Sequence, residues 1–590
     1  MARDDAIGSE RPGWQRHGVV VFLYFVLALI MTWPVMATPG LYIISEYMDT
    51  STAFYNLWWF HQAVCELHTW PWTNTLINYP YDFSMAMFPM WVPYDALVLP
   101  VIEAKGAHGL PLALNIIIII SFTARGYVTF VFVRYLVQKS PPAFLAGVVL
   151  AFSPYVFWNI TRVHASCLEL VVLLVYFFLR TLRERDWKPA AGLSASACLL
   201  LYTSPSYTAD MVLFLPLLGI YTAMREREAV LTRSTLVRLA AAAAVTLAVC
   251  SPFLYHVLSE MIKNPVPIAQ PHDLRVQYSA NLMGFVSPGW NLKAYSWLTQ
   301  YAPYSDPELT RSHGIGGHEI FMGYVFIAAA LAGAVRYFRR CFIYIVLCLL
   351  FMALSLGPSL HAGASTYAAA MPYDFFHAIF PWLRFERTPV RHLGPALVAL
   401  SVPAGFGMAW LGGLLSKRRA YVFYCALFAA VLLEYNHAPL KLDRFPVPGF
   451  VEEIKSDSAP GAVLNLPHIP DIKRLAGYYH MHHEKPLIFR LVSRGMDPEV
   501  QQSAIFRYLT HPRVWLRLSG DEREKALAEL KRELDTRDVR YLAAYPRFMT
   551  EKDDQGLRNL VADLQPAEVI EDNETYFVCR FERWSGTKKE

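Results

Sequence analysis

Apolar stretches of 18 or more residues recur through the first three quarters of the chain, separated by polar connections. A membrane-crossing helix needs about 20 such residues, so the pattern predicts a polytopic α-helical membrane protein. About eleven spans are predicted, at 18–37, 111–136, 141–158, 165–182, 189–204, 207–224, 236–256, 320–338, 341–357, 391–414 and 419–437. The first span follows a polar N-terminus, as a signal peptide does, but its cleavage site is weak, so we expect an uncleaved helix.

Basic residues occupy the N-terminus and every second connection between these spans. The groups are Arg3, Arg11 and Arg16; Arg134 and Lys139; Arg180, Arg183, Arg185 and Lys188; Arg225, Arg227, Arg233 and Arg238; Arg336, Arg339 and Arg340; and Lys417, Arg418 and Arg419. The intervening connections, 38–110, 257–319 and 358–390, are long, aromatic and rich in Pro and His. The positive-inside rule then predicts a cytoplasmic N-terminus, and an odd number of spans predicts an extracytoplasmic C-terminus.

Residues 440–590 differ in pattern from the membrane module predicted for residues 1–439. The stretches GAVLNLP, KPLIFRLVS, VRYLAAY and TYFVCRFE have the β-branched and aromatic content of strands. The stretch DEREKALAELKRELDTR has the pattern of a charged amphipathic helix with Asp521 in its first turn. We therefore expect a small soluble α/β domain on the outer face.

Composition agrees with a membrane protein, because 55% of the residues are hydrophobic and 17% are charged, against about a quarter in soluble domains. The formal net charge of +5 is small, and we expect no nucleic-acid partner. The eight cysteines form no CxxC pair. Cys65 and Cys579 alone lie outside the predicted spans, and we expect them not to form a disulfide.

The first outer loop combines aromatic residues with carboxylates. The stretch TAFYNLWWFHQAVCELH predicts a helix lying flat on the outer leaflet, with Phe54, Leu57 and Trp58 at helical spacing. Interfacial anchoring explains its aromatics but does not explain Asp49, which precedes the helix. Asp49 is either a helix-capping acid or a functional carboxylate, and Ser51 or Thr52 offers the same cap.

Outer basic residues form the second set of candidates. His313, His318 and Glu319 precede the eighth span, where they either bind a divalent metal, steer a phosphate or tether the loop; their spacing matches no defined zinc pattern. Arginine and histidine recur on the outer side at Arg162, His164, Arg384, Arg387, Arg391 and His392. Arginine forks suit phosphate oxygens, and the alternative is snorkelling with pairing to Glu386 or Asp374.

At these residues the sequence resembles the bacterial branch of the GT-C superfamily of integral-membrane glycosyltransferases, which use polyprenyl-phosphate sugars. The resemblance rests on ordered stretches: YMDTSTAFYNLWWFHQA, AFSPYVFWNITRVHASCLEL, DLRVQYSANLMGFVSP, HEIFMGYVFIAAAL, LRFERTPVRHLGPAL, GAVLNLP and YYHMHHEKPLIFRLVSR. It implies a multi-pass protein of the bacterial inner (cytoplasmic) membrane with Asp49 as catalytic base. It also implies donor-phosphate contacts from Arg387 and Arg391, and a later acid at Glu319.

One departure concerns the second carboxylate, since Asp49 has no adjacent acid and Glu46 is the nearest. No cofactor is certain, and a divalent metal stays open. The leading hypothesis is an inverting transferase that moves a sugar to a hydroxyl of a glycan, lipid or protein, with His318 and Arg162 as further phosphate contacts. The alternatives are a lipid or glycan transporter, for which Glu169 is the main ionisable residue inside a span, and a non-catalytic assembly subunit that docks partners through AGYYHMHHEKP.

Overall fold

The computed structural model describes residues 14–43, 49–85, 90–263, 272–288, 292–300, 320–363, 365–380, 383, 386–444, 446–489 and 502–583. The chain divides into two compact units. Unit 1 comprises Met1–Ile43, Pro89–Val98 and Leu112–Leu442; unit 2 comprises Ile44–Phe88, Leu99–Pro111 and Asp443–Glu590. Two segments of the outer loop that we predicted at 38–110 therefore group with the C-terminal residues.

Unit 1 is built from helices. They are Trp14–Met31, Leu110–Val137, Ser140–Ala151, Pro154–Trp158, Val163–Ser166, Leu168–Arg183, Lys188–Thr203, Pro205–Arg225, Arg227–Val230, Arg233–Lys263, His272–Gln277, Tyr324–Arg336, Phe338–Ser355, Pro372–Ile379, Leu393–Gly413 and Lys417–Glu434, with the helix Val92–Lys105 beginning in this unit. Short 3-10 turns occur at Leu282–Phe285, Lys293–Gln300 and Pro389–His392, and Leu360–Ala362 pairs with Ser365–Tyr367 as a hairpin.

Six helical segments of the described residues are long and apolar enough to cross a membrane: Val92–Val137, Ser140–Trp158, Pro205–Arg225, Arg233–Lys263, Phe338–Ser355 and Pro389–Gly413. Two shorter apolar helices are His17–Met31 and Tyr324–Arg336. The multi-pass membrane protein is thus confirmed, but the count of eleven spans is not. The stretch predicted as the first outer loop also contains a helix, Val92–Lys105.

Two helices of unit 1 cross at backbone contact. A Cβ atom on Gly333 would lie 1.9 Å from the carbonyl oxygen of Pro403, and one on Gly407 would lie 1.9 Å from that of Ala329. Small residues of this kind let membrane helices approach closely, because dispersion contacts and not water exclusion drive their association. The crossing of Tyr324–Arg336 with Leu393–Gly413 therefore depends on glycine on both sides.

A buried ion pair joins two further helices of unit 1. Arg125 donates from Nε to Glu169 Oε2 at 3.0 Å, and both residues are at most 2% exposed. Ser121 donates to Glu169 Oε1 at 2.6 Å, and the hydroxyl of Tyr94 bonds the same oxygen. Each carboxylate oxygen thus has a partner, which is the condition under which a buried charge pair is tolerated. Glu169, the main ionisable residue behind the transporter alternative, has a structural explanation.

Unit 2 contains a four-stranded sheet. Its strands lie in the order Ala462–Leu466, Val539–Ala544, Phe577–Arg580 and Glu568–Asp572, with the first pair parallel and the others antiparallel. The helix Gly520–Thr536 packs on it through Ala526, Leu530 and Leu534, one helical turn apart.

Three of the predicted strands and the predicted charged helix are present. The stretch KPLIFRLVS gives only bridges at Leu487, and its residues from 490 onward lie outside the described ones. The remaining elements of unit 2 are the helices Asp49–His61, Gly449–Ser456, Pro470–His483 and Glu551–Leu564, the π-turns Gln62–Glu66 and Ile505–Leu509, the 3-10 turns Gly106–Gly109, Pro512–Arg517 and Pro546–Phe548, and the hairpin Thr73–Asn74 with Phe83–Ser84.

The aromatic helix Asp49–His61 is real, but its predicted position on the lipid surface is wrong. Leu57 and Trp59 are fully buried, and Phe54 and Trp58 are at most 2% exposed. The indole of Trp59 donates to the carbonyl oxygen of Pro71 at 2.8 Å. These side chains form part of the interior of unit 2 and do not anchor the helix to headgroups.

The histidine-rich segment AGYYHMHHEKP is likewise interior. His480 and Met481 are fully buried, and Tyr479 and His483 are at most 4% exposed. The ring of His480 lies 4.9 Å from that of Trp58 and 5.8 Å from that of Tyr55. The prediction that this segment is a docking surface is therefore wrong, because its aromatic and histidine side chains are already covered within unit 2.

Candidate functional site

Two separate stretches of unit 1 bring four basic residues together. Arg162 and His164 come from the short turn around the helix Val163–Ser166, whereas Arg387 and Arg391 come from the segment leading into the helix Leu393–Gly413. We call Arg162, His164, Arg387 and Arg391 the basic cluster. The sequence predicts each of them on the outer side but does not predict that they lie together.

All three arginines of the basic cluster act electrostatically on His164. Burial lowers the pKa of His164 well below its ordinary value. The positive charges of the three arginines lower this pKa further, with the largest effect from Arg391, then Arg162, then Arg387. The imidazole is therefore neutral at pH 7, and its buried Nδ1 has no hydrogen-bond partner among the described residues. The ring stacks on Trp91 at 6.4 Å between centroids.

The arginines of the basic cluster contact acidic, aromatic and amide side chains. Arg391 pairs with Glu386 at 3.4 Å, which matches one of the two carboxylate partners predicted for it. The guanidinium of Arg387 lies 5.5 Å from the ring centre of Tyr278, and Arg162 donates to Asn159 at 3.5 Å. Arg391 remains 21% exposed beside its contact with Glu386. Guanidinium groups gathered in a partly open site favour an anion with several oxygens.

A tyrosine pair fixes the two stretches that carry the cluster. The hydroxyls of Tyr155 and Tyr207 lie 2.8 Å apart. Tyr155 donates to the carbonyl oxygen of Arg391 at 3.4 Å, and Tyr207 donates to that of Ala165 at 2.5 Å. A Cβ atom on Gly394 would lie 2.5 Å from the Tyr207 hydroxyl, so only glycine leaves room for this arrangement. The backbones on both sides of the cluster are held before any ligand binds.

A buried acid that was not predicted lies beside the cluster. Asp210, on the helix Pro205–Arg225, lies 2.7 Å from Nδ1 of His392, and both residues are at most 3% exposed. The Nε2 atom of His392 is buried and has no hydrogen-bond partner among the described residues. An aspartate within a predicted apolar span was the available signal, since such residues are costly without a partner.

The other predicted site residues are not brought to this cluster by anything the structure describes. Asp49 is the first residue of the helix Asp49–His61 in unit 2, and its side chain lies outside the described atoms. Glu46, His313, His318, Glu319 and Arg384 lie outside the described residues. Cys65 and Cys579 are both free thiols, as expected, with Cys579 buried in the sheet of unit 2.

Comparisons with known proteins bear on the fold. No protein-family model matches this chain, and no curated protein matches its sequence. An oligosaccharyltransferase from Archaeoglobus fulgidus, solved in complex with zinc and sulfate, is similar in structure at a TM-score of 0.51 and 11% identity, over 96% of this chain and 73% of that one. ArnT from Cupriavidus metallidurans, solved with undecaprenyl phosphate, aligns at 0.48 and 14% identity over 95% and 97%. The likeness to the Archaeoglobus enzyme shows that this chain shares its fold.

Proposed function

We propose that this protein is a membrane glycosyltransferase that moves a sugar from a polyprenyl-phosphate donor to a hydroxyl acceptor at the outer face of the membrane. The observation that carries the proposal is the basic cluster, in which three arginines from two chain segments act electrostatically on one neutral histidine. Such a site is built for an anion with several oxygens, and the phosphate of a lipid carrier has that chemistry at headgroup level. The fold shared with the Archaeoglobus enzyme agrees with this assignment.

In the proposed reaction, the carboxylate of Asp49 takes the proton from the acceptor hydroxyl. The hydroxyl oxygen forms a bond to the anomeric carbon, and the bond from that carbon to the phosphate oxygen breaks. The lipid phosphate leaves with the electron pair, and its added negative charge is stabilised by Arg387, Arg391 and Arg162. Attack opposite to the leaving group inverts the anomeric configuration.

Donor binding tests the basic cluster separately from catalysis. The change is Arg387→Gln, Arg391→Gln or Arg162→Gln in the purified full-length protein, and the measurement is the affinity for a fluorescent polyprenyl phosphate in detergent micelles. A hydrogen bond to a charged group is worth about 1.5–3 kcal/mol, so each variant is expected to bind about 10–150-fold more weakly.

The matched control for donor binding is Arg336→Gln, which removes one charge from an exposed helix end away from the cluster. Equal affinity in the control and in all three cluster variants would remove the cluster from the donor site.

Transfer itself tests Asp49. We expect Asp49→Asn to abolish sugar transfer while leaving polyprenyl-phosphate affinity unchanged, because the amide cannot accept the proton. Membrane vesicles loaded with a radiolabelled polyprenyl-phosphate sugar give the readout, which is movement of label off the lipid. If label instead changes leaflet and stays on its carrier, the protein is a transporter.

A further inference from the structure

Three side chains of different chemistry converge on the surface of unit 2, outside the proposed reaction site. His61 is the last residue of the helix Asp49–His61, Cys65 lies in the following π-turn, and Glu103 lies near the end of the helix Val92–Lys105. One ligand atom from each lies within 4.8 Å of the others. The closest pair is His61 Nε2 and Glu103 Oε2, at 2.7 Å.

The backbone presents two of these ligands together. His61 and Cys65 are four residues apart, so they project from the same face of the continuous helical segment. His61 is 7% exposed, which fixes its ring. The segment changes from α-helix to π-turn between them, and π-turns in proteins occur frequently at functional sites.

A direct ion pair is a poor explanation for this arrangement. The Glu103 side chain is 62% exposed, and exposed pairs of this kind contribute little to stability. The pair also leaves Cys65 out, since its thiol makes no hydrogen bond to any residue that the structure describes. Glu66 is the next residue in the chain, and the negative charges of Glu103 and Glu66 both act on the Cys65 thiol. Two carboxylates beside a thiol and an imidazole favour a cation.

The three ligand atoms lie within 4.8 Å of one another, so tetrahedral coordination requires side-chain movements of at most about 1.2 Å. Zinc bonds of about 2.0–2.3 Å at tetrahedral angles place neighbouring ligand atoms about 3.3–3.6 Å apart. The His61–Glu103 contact must therefore open by about half an ångström, which the exposed Glu103 side chain can provide by rotation. Nitrogen, sulfur and carboxylate ligands together select zinc-class metals over magnesium or calcium, which prefer oxygen alone.

We propose that His61, Cys65 and Glu103 form a binding site for a divalent zinc-class metal, with one coordination position left for water. We call these three residues the zinc site. The ion joins the end of the helix Asp49–His61 to the helix that carries Glu103, and it takes no part in the proposed sugar transfer. Failure of either proposal leaves the other standing.

Cobalt spectroscopy on the purified full-length protein tests the zinc site. After chelator treatment, Co²⁺ is added and the near-ultraviolet charge-transfer band of a cobalt–thiolate bond is recorded, followed by displacement with Zn²⁺ and elemental analysis. We expect one metal per chain with this band in the wild type. Cys65→Ser should remove the band, and His61→Gln should weaken metal affinity by more than about 100-fold, beyond the loss that an outer partner causes.

Two matched controls separate the site from general effects. Cys425→Ser removes an exposed thiol elsewhere, and His68→Gln removes an exposed imidazole close in sequence; both should keep the band and the stoichiometry. Zinc should raise the melting temperature of the wild type and of the two control variants but not that of Cys65→Ser. The melting temperature of Cys65→Ser without metal shows whether this variant folds. An unchanged thiolate band in Cys65→Ser, or no band in the wild type, overturns the proposal.

Discussion

Replacing His480 with phenylalanine is expected to make unit 2 less sensitive to acid. The imidazole is fully buried against Tyr55 and Trp58, and neither ring nitrogen has a hydrogen-bond partner among the described residues. Burial lowers the pKa of His480 to about 3. The folded protein therefore keeps this group neutral at any pH above about 3.

The sign and size follow from proton linkage. An unfolded histidine has a pKa of about 6.5. Below that pH the unfolded state binds a proton and the folded state does not, so the free energy of unfolding decreases as the pH falls. Between pH 7 and pH 5 this costs about 1.9 kcal/mol for one such histidine. Burial also lowers the pKa of His482 to about 4, and that of His483 well below its ordinary value. His480 and His482 together cost about 4 kcal/mol over the same range, and His483 acts in the same direction.

His480→Phe removes one of these three contributions. Loss of an unpaired buried polar group gains about 1–3 kcal/mol, whereas the larger ring costs a similar amount through overpacking, so stability at pH 7 should change little. The difference in stability between pH 7 and pH 5 should shrink by about 2 kcal/mol. The pH dependence is therefore the discriminating quantity.

Hydrogen exchange read by mass spectrometry measures this in the full-length protein in detergent. Peptides covering Pro470–His483 and Asp49–His61 report the opening free energy of unit 2 at each pH, after correction for intrinsic exchange rates. His511→Phe is the matched control, because His511 is exposed and should leave the pH dependence unchanged. The same pH dependence in His480→Phe and in the wild type would refute the reasoning that a buried neutral imidazole is responsible.

Three further changes test the frame of unit 1. Arg125→Met leaves the Glu169 carboxylate buried without its guanidinium partner and should destabilise the protein by about 3–5 kcal/mol, whereas adding Glu169→Leu should recover most of that stability. Thermal unfolding in detergent measures both variants. If the destabilisations of the two single variants simply add in the double variant, the pairing is contradicted. Gly407→Ala should lower the melting temperature well below that of Gly413→Ala, where a Cβ meets only ordinary contact at 3.6 Å. Tyr207→Phe should weaken polyprenyl-phosphate binding by about 2–13-fold, because it removes one neutral hydrogen bond. Unchanged affinity would exclude a positioning role for Tyr207.

The sequence predicted what depends on local pattern. Long apolar stretches predicted the membrane helices, and alternating β-branched residues predicted the strands at Ala462–Leu466, Val539–Ala544 and Phe577–Arg580. The strand Glu568–Asp572 was missed because its residues are largely charged and exposed at the sheet edge. The sequence marked Arg162, His164, Arg387 and Arg391 individually, because positive charge at the predicted outer end of a span runs against the usual bias, but it did not indicate that they lie together.

Features that depend on packing between distant parts of the chain were not predicted correctly. Trp58 and Trp59 were assigned to the lipid surface because aromatic residues favour that level, and no local pattern distinguishes an interfacial ring from one buried under another segment. Asp210 was overlooked because its partner, His392, is 182 positions away. Both errors concern contacts between residues distant in sequence, which neither periodicity nor composition encodes.

The contact between Tyr55 and His480 can form only late in synthesis of the chain. The two rings are separated by 425 positions along the chain. At about 5–20 residues per second, a ribosome needs roughly 20–85 s to make the distance between them. Throughout that interval the aromatic helix has emerged without the segment that covers it, so its exposed rings must be shielded by the translocation machinery, a chaperone or the bilayer. The packing of the helix Asp49–His61 against Pro470–His483 can thus form only once the last quarter of the chain is being translated.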